Sequence, residues 1–336
     1  MRFRCVLIAA LSLLACGRKD APLATPDAST LAASDAGLPL AFTFADAAPS
    51  DPPDARAPLP EVDVAPFLAS APRSGKAIGH TSVVFKLELS NGSVAAYKPE
   101  SRKGHGRFRG EIAARRLARA LALPNVPAAL PRSFEAKTLR AALATNARAA
   151  GIFDAEVVAH GGQVDGALIP WISNLEFLPI ETDVYRARWT RWLSRQGPLP
   201  TDQAGLAAQI STLVVFDAIT GNWDRWSGGN VGVDKASGTL LFIDNDGAFF
   251  EPAPPAPLAA QFALLGKIDR YSRKLVIALR ALGPIALADA IGELSPGAPL
   301  LPAKTLSGVD ERRRRVLGVI DAKIAEQGEA AVLQFD

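Results

Sequence analysis

Residues Phe216 to Phe250 read FDAITGNWDRWSGGNVGVDKASGTLLFIDNDGAFF, an apolar run punctuated by acids and asparagines. Ahead of and into it, Leu206, Ile210, Leu213, Val214 and Asp217 recur at helical spacing, and Gly221 supplies a helix stop. Asp224 then falls in a loop. Asn230 to Val233 and Thr239 to Ile243 are short apolar runs around Asp-Lys-Ala-Ser-Gly, which predicts a β-hairpin turning at Lys235 to Gly238. Pairing outward from that turn sets Asn230 opposite Ile243 and Asp244, so a loop Asp, an Asn and a second Asp meet at the open end of the hairpin. Hard oxygen donors gathered this way suit Mg²⁺ or Mn²⁺ that also holds a phosphate chain.

Upstream, Val83 to Leu89 alternates with Phe85, Leu87 and Leu89 on one face, and Asn91-Gly92 signals a hairpin. The return strand puts Val94, Ala96 and Lys98 on one side and Ala95 and Tyr97 on the other. A basic loop follows, with Arg102, Lys103, His105, Arg107 and Arg109, and reads as solvated. In the next helix Ala114, Leu117, Ala118 and Leu121 form the buried stripe, with Glu111 one turn earlier on that face. An acid on the core side needs a partner, and Lys98 is the natural one, because a paired buried charge is far better tolerated than a lone one. Ser74 to Gly79 reads as a turn, and Ile152 to Val158 and Ala167 to Ile172 as strands joined at Gly161-Gly162.

The 336 residues are 49% apolar, enough for one large two-lobed domain or two ordinary ones. Arg2 and Arg4 precede a short apolar run, Val6 to Ala15, an export signal. Leu13-Leu14-Ala15-Cys16 resembles the bacterial lipobox, which predicts a signal peptide over 1–15 and a lipid on Cys16. Cleavage there lowers the formal charge from +3 to +1 and leaves one cysteine, so no internal disulfide is expected. Near-neutral charge excludes whole-protein attraction to nucleic acid. Residues 16–66, rich in Ala, Pro and Asp, read as a disordered tether. The remainder divides into a β-rich lobe over 67–172 and a mainly helical lobe over 173–336. In the latter, Ala259 to Leu282 and Ser307 to Gln327 are predicted helices, the second capped by Ser307, with Arg312 to Arg315 on a solvated face. Trp171, Trp189 and Trp192 read as core anchors.

Lys98, Glu111, Asp224, Asn230 and Asp244 make sense as one set. Phosphoryl transfer from ATP asks for a lysine on the phosphates, an acid orienting it, an Asp near the acceptor hydroxyl, and an Asn and Asp on metal. Their order, strand lysine, helix glutamate, loop Asp, then an Asp after a hairpin, is that of protein-kinase-like folds. Asp217 is expected to accept bonds from backbone amides of the 221–226 loop. The histidines are too scattered for a metal set, and no Ser-His-Asp arrangement is apparent.

With AYKPE, GEIAARRLARALALPNVP, FDAITGNWDRW and LLFIDNDGAF in place, residues Gly75 to Arg280 resemble the secreted atypical kinases of the Golgi casein kinase and four-jointed group, relatives of HipA-type and phosphatidylinositol kinases. The resemblance implies an α+β, atypical protein-kinase-like two-lobed fold, its small β-rich N-lobe holding one helix, its C-lobe larger and helical. It implies that Lys98 contacts ATP phosphates, Glu111 pairs with Lys98, Asp224 is the catalytic aspartate, and Asp244, five residues before Phe249, holds Mg²⁺ or Mn²⁺. Asn230 is the second expected metal ligand, six residues after Asp224 where relatives have five. Asp246 is the alternative to Asp244, by analogy with an Asp-x-Gly element. Trp226 stands where members commonly have His. The expected function is a lipid-anchored exported kinase of the bacterial envelope, on the periplasmic or outer surface. It would act as a monomer, transferring the γ-phosphate of ATP to a protein or glycan hydroxyl. The alternatives are a pseudokinase scaffold, a nucleotidyl transferase on the same fold, and an unrelated solute- or envelope-binding lipoprotein.

Overall fold

Phe85, Leu87 and Leu89 on one strand and Ala95 and Tyr97 on its return are fully buried in the computed structural model, which describes residues 62–79 and 82–336. Cys16, the leader, the tether up to residue 61, and His80 lie outside the described residues. After a short helix α1 (Ala65–Ala69), strands β1 (Pro72–Ala77), β2 (Phe85–Leu89) and β3 (Val94–Pro99) run antiparallel. Asn91-Gly92 turns the chain as its type predicts: Gly92 takes φ 84° and the Asn91 side chain accepts the Ser93 N–H at 3.0 Å. Helix α2 (Phe108–Ala120), strand β4 (Leu130–Glu135), helices α3 (Ala136–Ala142) and α4 (Ala147–Glu156), and strand β5 (Gln163–Pro170) complete this part. The sheet order is β1-β2-β3-β5-β4, so β3, which carries Lys98, is central. Leu139, Leu143 and Ala149 of the α3–α4 region cover one sheet face over Phe85, Leu87 and Leu168. Each such leucine or phenylalanine contributes about 1.5–3 kcal/mol by leaving water.

Two local expectations are corrected here. Ser74 to Gly79 is not a turn; most of it lies in β1, and Gly75 is glycine for packing, since a Cβ there would sit 2.6 Å from Leu87 Cδ2. Ile152 to Val158 is not a strand either. It ends α4, whose Asn146 cap accepts the Ala149 N–H at 2.8 Å, and the apolar pair Ile152-Phe153 is one helix face in an alanine-rich segment. The strand that pairs with β5 is β4 instead. Residues 62–172 thus hold α1, α3 and α4 besides the expected α2.

The second part begins with β6 (Leu175–Phe177), α5 (Asp183–Leu193) and α6 (Ala204–Thr220), followed by the hairpin β7 (Val231–Asp234) and β8 (Thr239–Phe242). Strands β6-β7-β8 make a small antiparallel sheet. Helix α6 is buried on nearly every side from Ala207 onward; long and apolar enough to cross a membrane, it is here a core helix. It stops at Gly221, whose left-handed φ of 65° lets its N–H reach Asp217 O at 2.8 Å.

Helices α7 (Pro255–Lys267), α8 (Arg273–Ala281) and α9 (Pro284–Ile291) follow, then the two-stranded ribbon β9 (Glu293–Ser295) and β10 (Ala298–Pro299), and finally α10 (Ala303–Gln327) and α11 (Glu329–Val332). The single helix expected over 259–282 is two, because Ile268 is extended and Ser272 caps a new start through the Leu275 N–H. Helix α10 opens at Ala303, four residues before the expected Ser307 cap. Trp189 and Trp192 are core residues, whereas Trp171 is 38% exposed with Lys86 Nζ 3.7 Å from its ring centre. Arg312 and Arg313 are buried, contrary to a solvated face. Arg312 Nε donates to Ile219 O at 2.8 Å and Arg313 Nη1 to Leu279 O at 2.9 Å, so they tie α10 to its neighbours. Residues 62–336 fall within one compact unit.

Candidate functional site

Lys98 closes β3 on the sheet face opposite Tyr97, and its ammonium is buried among three carboxylates. Nζ donates to Glu111 Oε1 at 2.5 Å, to Asp244 Oδ1 at 2.6 Å and to Asp246 Oδ2 at 3.4 Å. The pairing of Lys98 with Glu111 expected from strand and helix facing is present. Burial disfavours the ammonium, yet the three carboxylates outweigh it and hold the amine well above its ordinary value. Their effects on the two aspartates diverge. Burial raises Asp244, but Lys98 more than offsets that and holds it below the usual carboxylate range. Asp246 is pushed up by burial, aided by Asp244 and Glu111, against the pull of Lys98 and Arg107. Arg107, from the loop expected to be solvated, donates to the Asp246 carboxylate and to its backbone oxygen at 3.1 Å.

Glu111 is held from a second side. The Asn245 N–H donates to its Oε1 at 2.9 Å, and Asn245 Nδ2 bonds Phe242 O at 2.9 Å. Asn245 Oδ1 in turn accepts from Arg225 Nη2 at 2.6 Å. Arg225 is fully buried and donates also to Asn230 O at 2.6 Å, to Ile243 O, and through Nε to Asp217 at 3.1 Å. A continuous polar chain therefore runs Asp217, Arg225, Asn245, Glu111, Lys98, Asp244 through the interior. The expectation for Asp217 is corrected: its carboxylate meets the Arg225 guanidinium rather than loop amides, because the 221–226 loop folds Arg225 back over the end of α6. Burial pushes Asp217 up to about 6, against the pull of that guanidinium.

The loop after α6 positions Asp224. Asn222, fully buried, accepts the Asp224 N–H at 3.2 Å and donates to Asp244 O at 3.3 Å, joining the loop Asp to the hairpin Asp. Asp244 takes a left-handed φ of 56°, a backbone state costing roughly 1 kcal/mol outside glycine. Gly247 lies against this loop so closely that a Cβ would sit 3.0 Å from Asp224 Cβ. Among the described residues, nothing bonds the Asp224 carboxylate, which is half-buried. Asn230 Nδ2 donates to Asp224 O at 2.7 Å. The structure thus brings Lys98, Glu111 and Asp244 into direct contact and Asn230 onto the Asp224 backbone, with its amide oxygen left for a cation.

A cleft of about 380 Å³ opens at Lys98, Glu111 and Asp244, and its remaining wall is largely apolar, including Val84, Ile169, Trp171 and Phe177. An apolar slot with a charged end matches a base and its phosphates. Among the described residues no three His, Cys, Asp or Glu side chains are grouped to hold a metal. Asp244, with its side chain 33% exposed, and Asp246 nonetheless fit Mg²⁺ or Mn²⁺, since such ions use one or two carboxylates plus phosphate oxygens, and these two already hold a cationic nitrogen between them. Asn222, Arg225, Asn245 and Arg107 were missed as site residues. The signal for the first three was their place in the motifs FDAITGNWDRW and LLFIDNDGAF, and Arg107 was hidden in a run of like charges.

No protein-family model matches the chain, and no curated protein matches it. Solved structures do. The Golgi casein kinase aligns at TM-score 0.60 and 16% identity over 80% of this chain and 75% of that one. Its form with Mn/ADP bound aligns at 0.57 and 14%, over 80% and 76%. Hydra Fam20 with sugar aligns at 0.61 and 17%, over 83% and 94%. The chain has the kinase-like fold of these proteins, with an antiparallel N-terminal sheet and a helical second part.

Proposed function

We propose that this protein is a metal-dependent phosphotransferase that moves the γ-phosphate of ATP to a hydroxyl of a protein or glycan. The observation that carries the reading is Lys98 held between Glu111 and Asp244 at the charged end of an apolar cleft. Lys98 would grip the phosphates, Glu111 would orient Lys98, and Asp224 would accept the hydroxyl proton. Asp244, with Asp246 and the Asn230 amide oxygen, would hold Mg²⁺ or Mn²⁺, which when bound neutralises charge on the phosphates. Lipid attachment at Cys16 and an envelope location are part of the same reading; they rest on the leader motif. A pseudokinase is the second reading, favoured by Trp226 where relatives commonly have His and by the six-residue spacing from Asp224 to Asn230.

Thermal stabilisation by ATP with Mn²⁺ or Mg²⁺ tests the site. It is expected in the wild type and in Asp224→Asn, and lost in Asp244→Ala. No nucleotide response in the wild type would sink both readings that require ATP. Label from γ-phosphate appearing on casein, a glycan or the protein itself, and lost in Asp224→Asn, separates an enzyme from a pseudokinase. Label from the α-phosphate would indicate nucleotidyl transfer.

A further inference from the structure

A second cleft of about 760 Å³ shares Arg107 and Asp246 with a small cavity that reaches Lys98 and Ser82, both of which also line the first cleft. The two clefts therefore lie on either side of the Lys98–Asp246 contact. A phosphate chain gripped by Lys98 would have its far end directed at the second cleft. Trp223, the residue before Asp224, lines this second cleft and is 37% exposed. A large ring left open to solvent beside the loop Asp is a stacking platform, and Arg107 steadies it from 5.5 Å.

Two of the three acids on the same wall have a guanidinium partner: Asp246 pairs with Arg107, and Glu251 lies 3.8 Å from Arg312, which is outside the lining. Lys103 and Arg109 line the cleft too, and among the described residues neither side chain meets a carboxylate. Arg109 Nε is buried with no hydrogen-bond partner. A cationic side chain on a cleft wall with no carboxylate partner leaves its charge open to an arriving anion.

Resting on the phosphotransferase reading, we propose that the second cleft is the acceptor site and takes an anionic carbohydrate. The sugar ring lies on Trp223, its carboxylate, sulfate or phosphate meets Lys103 and Arg109, and a ring hydroxyl faces Asp224. In the step, that oxygen forms a bond to the γ-phosphorus as the bond to the β,γ-bridging oxygen breaks. The hydroxyl proton passes to Asp224, and the nucleoside diphosphate stays in the first cleft. An acidic peptide matches the cations but leaves the platform unused.

Calorimetric titration of the full chain, without nucleotide, tests this with a galacturonate trimer and a heparin hexasaccharide as probes. Maltotriose and a glutamate-rich peptide serve as comparisons. At least one anionic sugar is expected to bind about tenfold or more tighter than maltotriose, and to weaken about tenfold in Trp223→Ala and in the double variant Lys103→Gln/Arg109→Gln. MgATP should bind both variants within about twofold of wild type, which shows that they fold. Binding of neither anionic sugar, undiminished binding in the variants, or peptide binding with the same dependence on Trp223 overturns the assignment. Failure of MgATP to bind the wild type overturns the phosphotransferase reading itself, and the acceptor role with it.

Discussion

A guanidinium shut away from water must find protein acceptors for its donors, and Arg225 finds them on Asp217, Asn230, Ile243 and Asn245. Asp217→Asn removes the one full negative charge in that set, and breaking such a buried pair costs about 3–5 kcal/mol. The pH dependence has a definite sign. With the folded carboxyl near 6 and its ordinary value near 3.8, the folded state binds the proton more tightly. This group's contribution is therefore least favourable above pH 6 and grows as pH falls toward 4. Denaturant titrations at pH 7 and pH 5 should show the gap between wild type and Asp217→Asn widening by about 1 kcal/mol on acidification. A gap that stays the same at the two pH values would show that Asp217 is held ionised by Arg225.

At the scale of elements, the decisive piece is α2, which delivers Glu111 to Lys98. Its far end is tied to the second half of the chain, since Arg116 Nη1 donates to Ile291 O at 2.5 Å and to Glu293 O at 2.8 Å. Near its start, Gly110 approaches Asn245 so closely that a Cβ would lie 2.6 Å from the backbone oxygen. Helix α2 is thus pinned to both the hairpin loop and α9. Arg116→Ala is expected to cost about 1–2 kcal/mol of stability and, on the proposed function, to weaken ATP binding several-fold while leaving the cleft at Lys98 otherwise intact. Loss of stability with unchanged affinity would show that the pin serves folding alone. Much at this scale was legible in advance: the apolar alternation of β2, the Asn-Gly turn, the stripe of α2 and the hairpin β7–β8 are periodic signals that each face must satisfy locally. The failures were equally physical. Ile152-Phe153 is too short a run to distinguish helix from strand, and the break at Ile268 to Ser272 goes with long-range anchoring, of the Arg270 guanidinium on Trp192 O and of the Tyr271 N–H on Val332 O.

For the whole molecule, residues 62–336 fall within one compact unit. A chain beginning at Ser50 should therefore melt within about 2 °C of the full chain, a difference equivalent to a fraction of a kcal/mol for a domain of this size. A markedly lower melting temperature by calorimetry would show that the preceding residues contribute to the core. The two clefts lie on either side of the buried Lys98–Asp246 contact.

From the sequence alone came the residue types of the site and the pairing of Lys98 with Glu111, because facing along a strand and a helix follows from periods of 2 and 3.6 residues. Only the tertiary structure decided how Asp217 is satisfied, that Arg107 belongs to Asp246, and that Arg225 and Asn245 link the loop to Glu111. Those contacts join side chains whose partners lie up to 139 positions away, and a hydrogen bond between distant segments leaves no periodic trace in either one.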